Sequence, residues 1–209
     1  MACEKSSGSS RVLDLLMIFK SRLFVMFAVV FGVSLVLLGF PTVASSLMAS
    51  TRNLLSAFTA VFFHKDLAHL GSSVLLTLAV MLLYSMSNMI SGRNSDNFFI
   101  VAIWIATVAA SLAFVNLWPN ARLGGSSGLV SAFIGGTVVT AYLNAWTETA
   151  RWNKVFQAAV GTFLVVAFVI LNLNVDSRTM VTVHLSAFLY MAVLVVTYRF
   201  LSSFFSKGE

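Results

Sequence analysis

Six stretches of about twenty residues run through this chain almost free of charge: Leu23 to Phe40, Leu67 to Met86, Phe98 to Leu117, Ser127 to Trp146, Val155 to Leu173 and Met180 to Phe200. Nothing else constrains the fold as strongly. A helix of ~20 residues covers the ~30 Å of hydrocarbon in a bilayer, and each stretch has that length. Strand-period alternation is absent, which favours helices over a barrel. The whole composition agrees. Of 209 residues, 59% are hydrophobic and 10% charged, whereas soluble domains run at roughly half and a quarter. The chain therefore reads as an all-α, multi-pass integral membrane protein with six spans. Pro41 closes the first span, and Trp118 with Pro119 closes the third. The linkers leave no room for a second folded domain. Residues 1–20 read as a short leader without a signal-peptide apolar region, 21–203 as the six-span domain and 204–209 as a tail.

The net charge of +6 invites a nucleic-acid reading, but basic residues in membrane proteins mark cytoplasmic loops. Lys5, Arg11, Lys20, Arg22, Arg93, Arg151, Lys154, Arg199 and Lys207 fall on one side of the six-span topology; Arg52, Lys65, Arg122 and Arg178 fall on the other. Both termini are then expected in the cytoplasm, with the bilayer as partner, no nucleic acid, and the cell membrane as location. Trp118 and Trp146 mark opposite interfaces, where amphipathic rings are favoured. The one cysteine, Cys3, excludes an intrachain disulfide.

Polar groups placed where hydrocarbon penalises them carry the functional signal. In Gly124-Gly125-Ser126-Ser127-Gly128, glycines permit a tight turn leading straight into a helix. Ser127 then sits at a helix N-terminus, where free N–H groups and the helix dipole favour a developing negative charge. An ordinary N-cap followed by small-residue packing explains the same stretch. Gly128, Ala132 and Gly135 share a helical face, against which a neighbouring helix can pack closely.

The chain has three histidines, His64, His69 and His184, all near the outer end of a span. His69 and Ser73 are four apart and share a helical face. His64 and His69 are five apart, about 140° around a regular helix, and are not expected to point at one site there. Topology puts Ser127, His69 and His184 at similar depth on the same side. A serine needs a base to become a nucleophile, and neutral imidazole suits that task. Ser127 with His184 as base and His69 as hydrogen-bond donor makes a working set. No acidic residue within a span orients the base, so a dyad is expected rather than a triad.

With these residues the chain resembles the rhomboid family of intramembrane serine proteases over nearly all its length beyond residue 20. Gly125-Ser126-Ser127-Gly128 is similar to the family's Gly-x-Ser-Gly at the head of the fourth span, and His184 to the base in the sixth. His64 and His69 resemble the His-x-x-x-x-His at the head of the second, with Thr59 and Phe62 upstream. The resemblance implies a rhomboid-like six-helix bundle and an intramembrane serine endopeptidase acting on transmembrane protein substrates without a cofactor or metal. Ser127 and His184 would be catalytic, and Ser127, His69 and Ser73 would bind the oxyanion. Gly125, Gly128 and Ala187 would allow close packing near the site. Substrate would approach past the fifth span, under the loop from Val175 to Thr179.

The sequence departs from the family pattern in three places. Ser73 stands where an Asn is usual, and Ala187 and Met191 stand where glycines are usual. The principal alternative is a non-proteolytic relative that binds transmembrane segments. A metal-dependent hydrolase is disfavoured by the histidine spacing and by the lack of carboxylate or thiolate ligands in the spans. A channel or transporter is disfavoured because few polar residues line any span.

Overall fold

The computed structural model describes residues 21–49, 55–92, 96–118, 123–173 and 178–205. The expected leader, the basic residues Arg52, Arg93, Arg122 and Lys207, and most of the loop from Val175 to Thr179 lie outside the described residues. The architecture is a helical bundle. Helix α1 is Arg22–Leu38, α2 is Pro41–Ser46 and α3 is Ser56–Thr59, followed by a 3-10 turn at Ala60–Phe62. The remaining helices are α4 (Leu67–Ser91), α5 (Asp96–Leu117), α6 (Ser127–Thr147), α7 (Arg151–Leu173) and α8 (Arg178–Phe205).

Five of these, α4 to α8, are long and apolar enough to cross a membrane, the signature of a multi-pass membrane protein. The expected first span is a shorter apolar helix of 17 residues, because Gly39 and Pro41 stop it early. Other boundaries move outward. Helix α4 runs on to Ser91 and ends at Gly92, whose φ of 62° is the left-handed cap that favours glycine. Helix α8 reaches Phe205, so the boundary expected at residue 203 falls inside a helix. The apolar approach to the second span forms the α3 turn and the 3-10 turn rather than more of the span.

Helix α6 is the centre. Within its apolar window 83% of residues are buried, against 22–56% in the other four long helices. Its neighbours are α4, α5, α7 and α8, and its glycines set how near they come. A Cβ at Gly128 would touch Thr107 on α5, while one at Gly135 would collide with the backbone of Phe188 on α8. The stripe of Gly128, Ala132 and Gly135 thus does not serve one neighbour, as expected. Being enclosed on all sides, α6 offers each small residue to whichever helix lies against it. Met191 and Ala187 are fully buried, and Gly136 makes room for the Met191 side chain. Met191, which stands where the family has a glycine, is thus accommodated by a glycine on the partner helix.

Aromatic rings fill the middle of the bundle. Phe133 of α6 meets Phe27 of α1 at 5.4 Å and Tyr84 of α4 at 5.6 Å between centroids. Tyr84 also meets Phe99 of α5 at 4.7 Å. The outer surface is apolar as well: Leu75, Phe163 and Val193 are each more than 60% exposed, which suits lipid and not water.

One buried knot of polar side chains lies at the end of α7 remote from Ser127. Gln157 of α7 accepts from Ser87 Oγ of α4 at 2.5 Å and donates to the Ser87 carbonyl at 2.9 Å and to Ser91 Oγ at 3.0 Å. Asn144 of α6 donates to Ser87 Oγ at 3.3 Å and accepts from Arg199 of α8 at 3.1 Å. In hydrocarbon such groups must find partners among themselves. Here they fix the register of four helices.

Candidate functional site

The glycine-rich stretch is built as a turn against the loop that precedes α4. Leu123 pairs with Ala49 in an isolated bridge, with N···O distances of 2.6 and 3.2 Å. Gly125 donates its N–H to the Ala60 carbonyl at 2.7 Å. Gly125 has φ of 122°, a conformation nearly closed to residues with a Cβ. A Cβ there would lie 3.5 Å from His69 Nε2 and 3.6 Å from Ser127 Oγ. Gly125 was expected to serve helix packing. It instead precedes α6 and keeps the gap between the imidazole and the hydroxyl open. A Cβ on Gly124 would meet the Phe63 ring at 2.5 Å.

Ser127 is the first residue of α6, as expected, and is half-buried. Ser126 occupies the N-cap position, but its hydroxyl makes no cap bond. It is instead paired with His64 Nε2 at 2.9 Å, and both side chains are buried. The N-cap explanation of this serine pair therefore fails, since Ser126 holds the loop before α4.

That loop removes the helical premise from the expectation for the first two histidines, although only His69 of the pair lines the cavity shared with Ser127 and His184. His64 precedes α4 instead of lying on it, so helical spacing does not separate the pair, and the His64 and His69 ring centroids are 5.5 Å apart. Asp66 caps α4, its Oδ1 accepting the His69 N–H at 2.8 Å. The cap positions His69 in the first turn, and Asp66 to His69 is an N-cap spacing visible in the sequence.

Burial first, and the neighbouring His69 second, lower the His64 pKa from its ordinary 6.5 to about 4, opposed by the Phe62 backbone. The folded chain thus binds this proton more weakly than the unfolded chain. Stability from His64 is complete above pH 6.5 and is lost as pH falls towards 4. The melting temperature in detergent is expected to drop between pH 7.5 and 5, and His64→Gln should flatten that drop. An identical drop in the variant would remove His64 as its source.

His69, Ser73, Ser127 and His184 all line a cavity of about 230 Å³ between α4, α6, α7 and α8. Ser72 and Ser131 add hydroxyls, while Ile134, Phe168 and Leu171 add apolar wall. Ser126 and His64 are not among the lining residues. Ser127 also borders a second cavity of about 10 Å³, shared with Thr107 and Ser111, which is space for about one water molecule. Among the described residues no hydrogen bond joins Ser127 Oγ to His184. Also among the described residues, no three His, Cys, Asp or Glu side chains converge to hold a metal ion.

His184 has a partner that sequence reasoning missed. Its Nδ1 lies 2.9 Å from Oδ1 of Asn172, near the end of α7. The Asn172 amide also donates to the Phe168 carbonyl at 2.8 Å. Asn172 is not an acid but an amide, twelve residues before His184 and across an interhelical loop. One sequence signal was present: a polar amide at the end of an apolar span, on the side holding the other polar groups.

Comparison with protein-family models, with curated proteins and with solved structures finds no match to this chain.

Proposed function

We propose that this chain is an intramembrane serine endopeptidase of the rhomboid type, cutting transmembrane protein substrates in or near the bilayer. The observation that carries the proposal is the convergence of Ser127, His184, His69 and Ser73 on one cavity inside an apolar bundle. Ser73 is buried and the other three are half-buried, and polar groups gathered around open space inside an apolar bundle are commonly tied to function. The helix-start position of Ser127 and the open gap at Gly125 add to it.

In this reading Ser127 Oγ attacks the scissile carbonyl carbon, and its proton passes to His184. The resulting oxyanion accepts hydrogen bonds from the Ser127 N–H and His69, with the Ser73 hydroxyl on the same wall. Collapse breaks the C–N bond, and the leaving amine takes the proton from His184. A water molecule, deprotonated by His184, then hydrolyses the acyl-serine ester and frees Ser127. The α1 helix acts as a sixth span in this reading, the host is the cell membrane, and both termini face the cytoplasm, as the distribution of basic residues favours.

A second reading, binding of transmembrane segments without cleavage, draws on the missing Ser127–His184 hydrogen bond. The two readings separate on one experiment. A fluorophosphonate probe is expected to label the purified chain at Ser127, not at the buried Ser126, and to block cutting of a transmembrane substrate. A substrate that crosslinks to the cavity but is never cut, with no labelling of Ser127, favours the binding reading.

A further inference from the structure

Asn172 stands outside the set of groups assigned to the reaction, yet its contacts decide the protonation of the base. The Phe168 carbonyl can only accept a hydrogen bond, so the Asn172 group 2.8 Å from it is the NH₂. This fixes the amide's orientation and turns Oδ1 towards His184. An amide oxygen also only accepts, so the His184 nitrogen 2.9 Å from it carries the hydrogen. That nitrogen is Nδ1. The lone pair of neutral His184 is therefore on Nε2, on the far side of the ring from α7. His184 and Ser127 line the same cavity, so Nε2 is the nitrogen left to take a serine proton.

We propose that Asn172 is the positioning residue of the base, holding His184 in its Nδ1–H tautomer and fixing the plane of the ring. The catalytic unit is then Ser127–His184–Asn172, with an amide carried by α7 in place of a carboxylate. The choice of an amide fits the setting: it supplies an acceptor without placing a charge inside the apolar bundle. The orientation begins with the backbone of α7, since the Asn172 amide is itself held by the helical turn that ends at Phe168.

The catalytic part of this inference rests on the protease reading, but the tautomer does not, and the test separates them. The full chain is labelled with ¹⁵N-histidine in detergent. Its three imidazoles give a simple spectrum, and the signal lost in His184→Gln identifies the base. The expected spectrum has His184 protonated on Nδ1, and Asn172→Leu populates the Nε2–H form. Asn172→Asp keeps an acceptor and restores the Nδ1–H form. In turnover, Asn172→Leu is expected to lower kcat about 100-fold, with KM changed by less than about threefold, as misorientation of a reacting group does. Asn172→Asp should recover most of that loss. Nε2 protonation in the wild-type chain overturns the assignment without any variant. An Asn172→Leu chain with wild-type kcat overturns the positioning role. If the wild-type chain cuts nothing while Nδ1 carries the proton, the protease reading falls and the tautomer assignment survives.

Discussion

Ser127→Ala is expected to lower cleavage of a transmembrane substrate on the order of 10⁴-fold or more, and His184→Ala by a similar factor. The double variant should lose little beyond either single one. A nucleophile without its base and a base without its nucleophile both leave only binding and oxyanion stabilisation, so their effects do not add. Ser126→Ala is the control. It removes the buried partner of His64 and should cost stability, but the variant should retain cleavage within about tenfold of wild type because Ser126 does not line the cavity. Initial rates on a reconstituted substrate, with melting temperatures for each variant, decide the matter. Unchanged cleavage in Ser127→Ala or His184→Ala removes the dyad.

The second large effect is expected at Gly135, far from the reacting atoms. A Cβ there collides with the Phe188 backbone, which has no flexible end to swing aside. Gly135→Val should therefore force α6 and α8 apart, with a stability loss of about 1–3 kcal/mol or more. His184 lies four residues before Phe188 on α8, so the same displacement moves the base relative to Ser127, and about 100-fold of activity should go with it. Gly71→Ala makes the comparison: a Cβ at Gly71 meets nothing within 4 Å, and alanine is the better helix former by roughly 0.5–1 kcal/mol. Thermal unfolding in detergent and turnover, measured on both variants, check this. A Gly135→Val chain as stable and active as wild type would show that the close approach carries no load.

The helical class and the starts of the long helices were legible because hydrocarbon demands uninterrupted apolar length, and Leu67, Asp96, Ser127 and Arg151 each begin a helix near the expected position. The shortness of α1 was less legible, since Gly39 and Pro41 trim a run that hydropathy alone extends. At the candidate site, Ser127, His69 and His184 stood out in the sequence as polar groups at matched depth against an apolar background, and Ser73 through its four-residue spacing from His69 and the family resemblance; all four line one cavity. Two contacts could not be read off. The His64–His69 approach depends on the chain leaving helical geometry before Asp66, which periodicity cannot register. The His184–Asn172 contact spans two helices and the loop between them, and a one-dimensional pattern carries no information on which faces meet.

The contacts of α7 are uneven along its length. Its first half is stitched down by Gln157, by Gly161 packed on the Tyr142 ring, and by Thr162 bonded to the Tyr142 hydroxyl at 2.9 Å. Its second half leans on α8 through the Phe168–Phe188 ring pair, 4.7 Å between centroids, and through the single amide on His184. That second half is where His184, the base of the proposed reaction, meets its orienting amide. In that reaction a shift of the C-terminal half of α7 that lengthens the Asn172–His184 contact also frees the imidazole, so the seat of one helix and the readiness of the base become a single variable.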